Sequence, residues 1–152
     1  MFLVVIVFIL AVDQASKWLV LRALPQSSSL PVINGVFHLT LVKNKGAAFG
    51  LFKGSSNFII IAASIALILF SISYLSCAKK EKVFSLSLAM IVAGALANMA
   101  DRLRYGYVVD FLDFRIWPVF NIADCAITAG TALLLLRLII SEKRKAKSVK
   151  LK

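Results

Sequence analysis

Acidic residues are scarce in this chain: seven Asp and Glu stand against eighteen Lys and Arg in 152 positions. A soluble domain usually carries charge on about a quarter of its residues, and here the share is 16%. Histidine occurs once, at His38, and cysteine twice, at Cys77 and Cys125. So small a donor set completes no zinc centre of nitrogen and sulfur ligands, and neither a metal nor any other cofactor is expected. The cysteines are expected as free, buried thiols, one beside a lysine cluster and one near the far end of another span. That separation exceeds the ~7 Å Cα limit for a disulfide. With three prolines and seven glycines the chain has no low-complexity tract, and no internal repeat is visible.

What is abundant is hydrocarbon. Hydrophobic residues make up 61% of the chain, and the mean hydropathy is +0.90. Several apolar runs approach the ~20 residues that cross a bilayer as a helix. The expected fold is therefore membrane all-α, a single domain over 1–152 with four transmembrane helices at about 2–23, 58–78, 83–100 and 119–141. The first run lacks a basic leader and a cleavage-like pattern of small residues, so it is read as a retained span rather than a signal peptide.

The net charge of +11 does not point to nucleic acid, because of where it sits. Lys79, Lys80 and Lys82 lie between the second and third spans, and Arg137 to Lys152 holds seven basic residues at the end of the fourth. Short basic segments flanking spans mark cytoplasmic ends, and they also suit anionic phospholipid headgroups. Both termini are then cytoplasmic. With that orientation Asp13 and Lys17, then Asn98, Asp101 and Arg102, then Asn121 and Asp124 all fall at the outer ends of their spans. Among the unusual polar residues within the spans, Arg137 alone lies near the inner end.

Helical spacing sharpens this layer. Asp13 and Lys17 are i,i+4 with the acid first, the better order for an ion pair. Gly94, Asn98 and Asp101 share a stripe, and the small residues Gly94, Ala95 and Ala97 allow close helix approach. Outside the membrane, Val36 to Leu41 alternates apolar with polar, a strand signal. Asn44-Lys45-Gly46 reads as a turn, followed by Ala47–Phe52 returning toward the bilayer. A small extracytoplasmic β element is expected there. Arg22 to the start of this strand reads as loop, and Arg102–Pro118, rich in aromatics, as an interfacial loop.

A carboxylate within hydrocarbon costs at least ~3 kcal/mol on insertion scales, so Asp124 is a functional-site candidate. Asp110, just before the same span, can meet it if Phe111–Val119 folds back. Two carboxyls in contact share a proton. One then activates water while the other donates a proton, the division of labour in aspartic proteases. Asp113 is expected to be solvated in the loop, Asp101 to be paired, and His38 to be structural or solvent-facing. Ser16 and Lys17 are neighbours facing different directions, which argues against a Ser–Lys dyad. Two other readings stand beside the protease. Intramembrane Asp and Lys also serve a small proton-coupled transporter, and a scaffold would need neither acid.

Five ordered motifs go further. They are Asp13-Gln14-Ala15-Ser16-Lys17, Asn44-Lys45-Gly46-Ala47-Ala48-Phe49, Gly94 to Arg102, Val108-Val109-Asp110-Phe111 and Phe120-Asn121-Ile122-Ala123-Asp124. Over essentially its whole length the chain resembles the bacterial lipoprotein signal peptidases, or signal peptidase II. The resemblance implies an intramembrane aspartic endopeptidase of the bacterial cytoplasmic membrane, its site at the extracytoplasmic face. The implied substrate is a prolipoprotein with a diacylglyceryl-modified cysteine, cut just before that cysteine, and the enzyme is expected to be a monomer. The catalytic pair maps onto Asp110 and Asp124. Supporting residues map onto Asp13, Lys17, Asn44, Asn98, Asp101, Arg102 and Asn121. Ala93 and Ala97 stand where the family has more glycine, and Cys125 where a small hydroxyl residue is common.

Overall fold

The computed structural model describes residues 1–26, 28–46, 61, 65, 69, 72 and 81–150, with side chains as far as residue 141. Its elements in order are α1 (Phe2–Ala23), β1 (Ser29–Ile33), β2 (Phe37–Asn44), α2 (Lys82–Tyr105), β3 (Val108–Asp113) and α3 (Ile122–Lys150). Among the described residues three helices are long and apolar enough to cross a membrane: Phe2–Ala23, Lys82–Tyr105 and Ile122–Ser141. They correspond to the first, third and fourth expected spans. The second, at 58–78, lies outside the described residues apart from Ile61, Ile65, Leu69 and Ile72, which are helical and exposed. The expected return of Ala47–Phe52 also lies outside them, as does Cys77.

Helix α2 is the most buried of the three, packed between α1 and α3. Small side chains make this possible. Ala89, Ala93 and Ala97 are wholly buried, and Ile6 of α1 packs against Ala89, Val92 and Ala93. A methyl group at Gly94 would run into the Ala123 carbonyl oxygen and the Ile127 side chain of α3. The two helices therefore meet backbone to backbone here, as small-residue interfaces permit. Helix α2 runs a turn further than the expected 83–100, so Asp101 and Arg102 are helical. It ends at Gly106, whose φ of 76° suits the left-handed cap and whose N–H returns to the Arg102 carbonyl.

The β element is a three-stranded antiparallel sheet in the order β1-β2-β3. Only β2 carries the alternation seen in the sequence. The expected loop before it contains β1, whose Ser and Pro content argues against a strand. It is nonetheless an exposed edge strand paired to β2, with Ser29 opposite Thr40 and Pro31 opposite His38. Proline is tolerated at such an edge. The expected interfacial loop likewise contains β3, with Asp113 opposite His38 and Asp110 opposite Val42. Val20, Leu41, Val109 and Phe111 form the core between sheet and α1.

After β3 the chain doubles back. The N–H groups of Phe111 and Leu112 both donate to the Phe120 carbonyl, and the Phe120 N–H donates to Leu112. This pairing, and Pro118, delay the start of α3 to Ile122 rather than the expected 119. Two further expectations are corrected. Cys125 is exposed on α3 rather than buried. Asp113 is buried at the end of β3 rather than solvated. Its carboxylate accepts from the Thr40 hydroxyl at 2.7 Å and from the Arg115 backbone at 2.8 Å. Burial acts to raise its pKa, but these bonds and the Arg115 charge hold it below the usual carboxylate value.

Candidate active site

The layer begins with a charge that has nowhere else to go. Lys17 is 2% exposed, and its ammonium has three protons to place. It lies 2.8 Å from Asp13 Oδ2, 2.8 Å from Asp101 Oδ2 and 3.1 Å from Asn98 Oδ1. All three donors are matched, as a buried ammonium requires. The two acids are 0% and 1% exposed and have further donors of their own. Asp13 Oδ1 accepts the Ala123 backbone N–H at 2.8 Å, tying α1 to the start of α3. Asp101 accepts the Val109 N–H at 3.2 Å and the Gln14 amide at 2.9 Å. The expected i,i+4 ion pair is present, and α2 adds a second acid to it.

From Asn98 the network passes to the other two acids. Asn98 Oδ1 accepts from Lys17 and also from Asn121 Nδ2 at 3.1 Å, while Asn98 Nδ2 donates to Asp124 Oδ1 at 2.8 Å. Asn121 Nδ2 donates to Asp110 Oδ1 at 2.7 Å. Asn121 and Asp124 also exchange bonds through the backbone. The Asp124 N–H donates to Asn121 Oδ1 at 2.9 Å, and the Asn121 N–H to Asp124 Oδ2 at 3.3 Å. This is a capping box with an aspartate in the usual glutamate place, and it fixes Asp124 in the first turn of α3. At the far side Asn44, the last residue of β2, donates to Asp110 Oδ2 at 2.8 Å and accepts the Gly46 N–H.

Asp110 thus comes from a strand and Asp124 from a helix, and each is bonded to Asn121. Asp110 is 2% exposed, and among the described residues no cation pairs with it directly. Burial, reinforced by the nearby charge of Asp124, pushes its carboxyl up to about 7, against the pull of the Asn44 and Asn121 bonds. Arg102 completes the rim, donating to the carbonyls of Asn98 at 3.3 Å and Gly46 at 3.1 Å. Every site residue expected from the sequence therefore enters one connected network. Ser16 touches none of the site's side chains; its hydroxyl donates to the Asp13 backbone carbonyl at 2.7 Å.

Sequence reasoning missed Gln14, which reaches both Asp13 and Asp101. Its one signal is a polar amide beside Asp13 in an apolar run. It also missed the two backbone N–H groups, of Ala123 and Val109, which no side-chain pattern reveals. His38 lies apart from this layer. Its Nδ1 meets the Ser29 hydroxyl at 2.9 Å, within a chain of hydroxyls running through Thr40 to Asp113.

Comparison with known proteins agrees with this architecture. The chain is 44% identical over 140 residues to the lipoprotein signal peptidase of Halothermothrix orenii, covering 92% of this chain and 96% of that one. It is 42% identical over 146 residues to the lipoprotein signal peptidase of Clostridioides difficile, covering 95% and 98%. A bacterial membrane enzyme solved by the in meso method at 2.3 Å superposes with a TM-score of 0.91 at 31% identity, covering 95% of this chain and 90% of that one. Nothing in these relatives favours the transporter reading. Residues 5–140 match the family described as signal peptidase (SPase) II, and the chain belongs to that family.

Proposed function

We propose that the protein is an intramembrane aspartic endopeptidase that removes the signal peptide from diacylglyceryl-modified prolipoproteins, cutting just before the lipidated cysteine. The lipoprotein signal peptidase relatives support the substrate class. The observation that carries the aspartic mechanism is the shared hold of Asn121 on Asp110 and Asp124. Among the described residues, these are the two acids of the layer that no cation pairs directly.

In this mechanism the dyad keeps one proton near neutral pH, because two adjacent carboxyls do not both ionise readily. The ionised member takes a proton from water as it attacks the scissile carbonyl. The protonated member donates to that carbonyl oxygen, and the leaving nitrogen is protonated as the intermediate collapses. The raised Asp110 carboxyl suits this window.

Placement follows from the same logic. The chain crosses the bacterial cytoplasmic membrane four times with both termini inside, acts as a monomer, and faces its site outward. A diacyl chain and an apolar signal helix meet near the outer headgroups, so a site cutting at their junction belongs at that depth. Phospholipid surrounds it, and no cofactor takes part. The test is cleavage of a lipid-modified prolipoprotein by the purified protein, with Asp110→Asn and Asp124→Asn made separately. Full turnover in either variant refutes the dyad.

A further inference from the structure

We infer that Lys17 is a positioning residue for both acids, acting through Asn98 to fix which way the two amides of the relay point. This rests on the aspartic reading above and extends it to a residue that touches neither acid of the dyad.

An asparagine amide can present either its oxygen or its nitrogen to a neighbour. At Asn98 the choice is forced. An ammonium only donates, so the atom facing Lys17 must be the oxygen, and Nδ2 then faces Asp124. The same oxygen accepts from Asn121 Nδ2, which turns that amide so that its nitrogen also reaches Asp110. Asn121 Oδ1 is in turn held by the Asp124 N–H. Lys17 cannot rotate away, since Asp13 and Asp101 hold its other two protons. One buried cation thus sets the Asn98 amide and reinforces the orientation that the Asp124 N–H gives Asn121, and each amide offers an N–H to one acid. Donors of this kind favour the ionised carboxyl.

Without Lys17, the Asn98 oxygen keeps only the Asn121 donor, and the amide is less firmly held against turning its oxygen toward Asp124. That acid then loses a donor, meets an acceptor and holds its proton more tightly. The charged groups around it are Asp13 and Lys17 from α1, Asp101 and Arg102 from α2, and Asp110 from β3. A charge-conserving variant isolates the amide effect from the field. In Lys17→Met with Asp13→Asn, the net charge of the buried cluster is unchanged, and the amide introduced at position 13 keeps an oxygen for the Ala123 N–H.

The experiment is the pH profile of kcat and KM for a lipid-modified prolipoprotein, using the full chain in lipid. It compares wild type, the Lys17→Met/Asp13→Asn double variant and Asn98→Leu, each with its thermal melting curve. Asn98→Leu is near-isosteric and removes the N–H to Asp124 directly while adding no charge. In both, kcat should fall at least ~10-fold with KM within about twofold, and the acidic limb should rise by about one pH unit. A purely structural role lowers activity in step with the folded fraction and leaves the limb in place. The inference is overturned if the folded variants keep the wild-type limb. If the double variant does not fold, Lys17→Met/Asp101→Asn, which conserves the same net charge, takes its place. Should Asp110→Asn and Asp124→Asn also retain turnover, the aspartic reading itself falls; if they are inactive while the limb stays put, only the relay falls.

Discussion

Two pairs of carboxylates lie within one polar layer, three of the acids buried and Asp124 half-buried, and the pairs differ in what stands between them. Asp13 and Asp101 share the Lys17 ammonium, each 2.8 Å from it. Asp110 and Asp124 share only the neutral amide of Asn121 and its backbone N–H. The first arrangement compensates charge and closes the helices onto one another. The second leaves negative charge poorly compensated at the junction of β3 and α3, and Asp110 responds with a carboxyl raised to about 7. A compensated pair suits a structural role; an uncompensated one suits the proton transfers of the proposed mechanism.

The comparison breaks most sharply at the second pair. Asp110→Asn and Asp124→Asn should each lower kcat by about 10³-fold or more while both variants remain folded. Assay of cleavage alongside thermal unfolding in detergent distinguishes this from misfolding. The first pair should answer the other way round. Lys17→Met alone leaves Asp13 and Asp101 buried without their cation and should cost about 3–5 kcal/mol of stability. It should therefore appear first as lost folded protein.

The pH dependence of stability sharpens the contrast at smaller amplitude. A carboxyl whose folded pKa lies above its unfolded value keeps its proton better in the native state. Its contribution is complete below the unfolded value near 3.8 and is lost as pH rises through about 7. Stability should thus fall between those limits by on the order of a few kcal/mol, read as a falling melting temperature, and Asp110→Asn should flatten that slope. Gly94→Ala should cost about 1–3 kcal/mol through overpacking against Ala123 and Ile127, and should displace Asp124 enough to slow cleavage as well. The smallest effect is expected beyond both pairs. Thr40→Val removes the hydroxyl bonded to Asp113 and should cost about 1 kcal/mol with little change in turnover.

Much of this is legible in residue types alone. Long apolar runs interrupted at one end by Asp, Lys and Asn give the helices and the layer, since hydrocarbon makes each such residue conspicuous. The i,i+4 pair on α1 follows from helical pitch. Strands β1 and β3 are not legible in the same way. β1 is an exposed edge whose pairing with β2 comes from the backbone and not from an apolar pattern, and β3 is an apolar run masked by the aromatics around it. The bond from Asn44 to Asp110 spans 66 positions, and only the family resemblance links them beforehand. Gln14 and Asp113 escape a reading by residue type because polar groups near an interface look solvated until the fold closes over them.

The bond from the Ala123 N–H to Asp13 joins residues 110 apart. It has a consequence for how the enzyme comes into being. A growing chain that ends before Asn121 already carries the strand acid, but lacks the amide that orients it and the partner acid beyond. On the proposed mechanism, the catalytic pair is complete only once α3 has docked against α1 and α2.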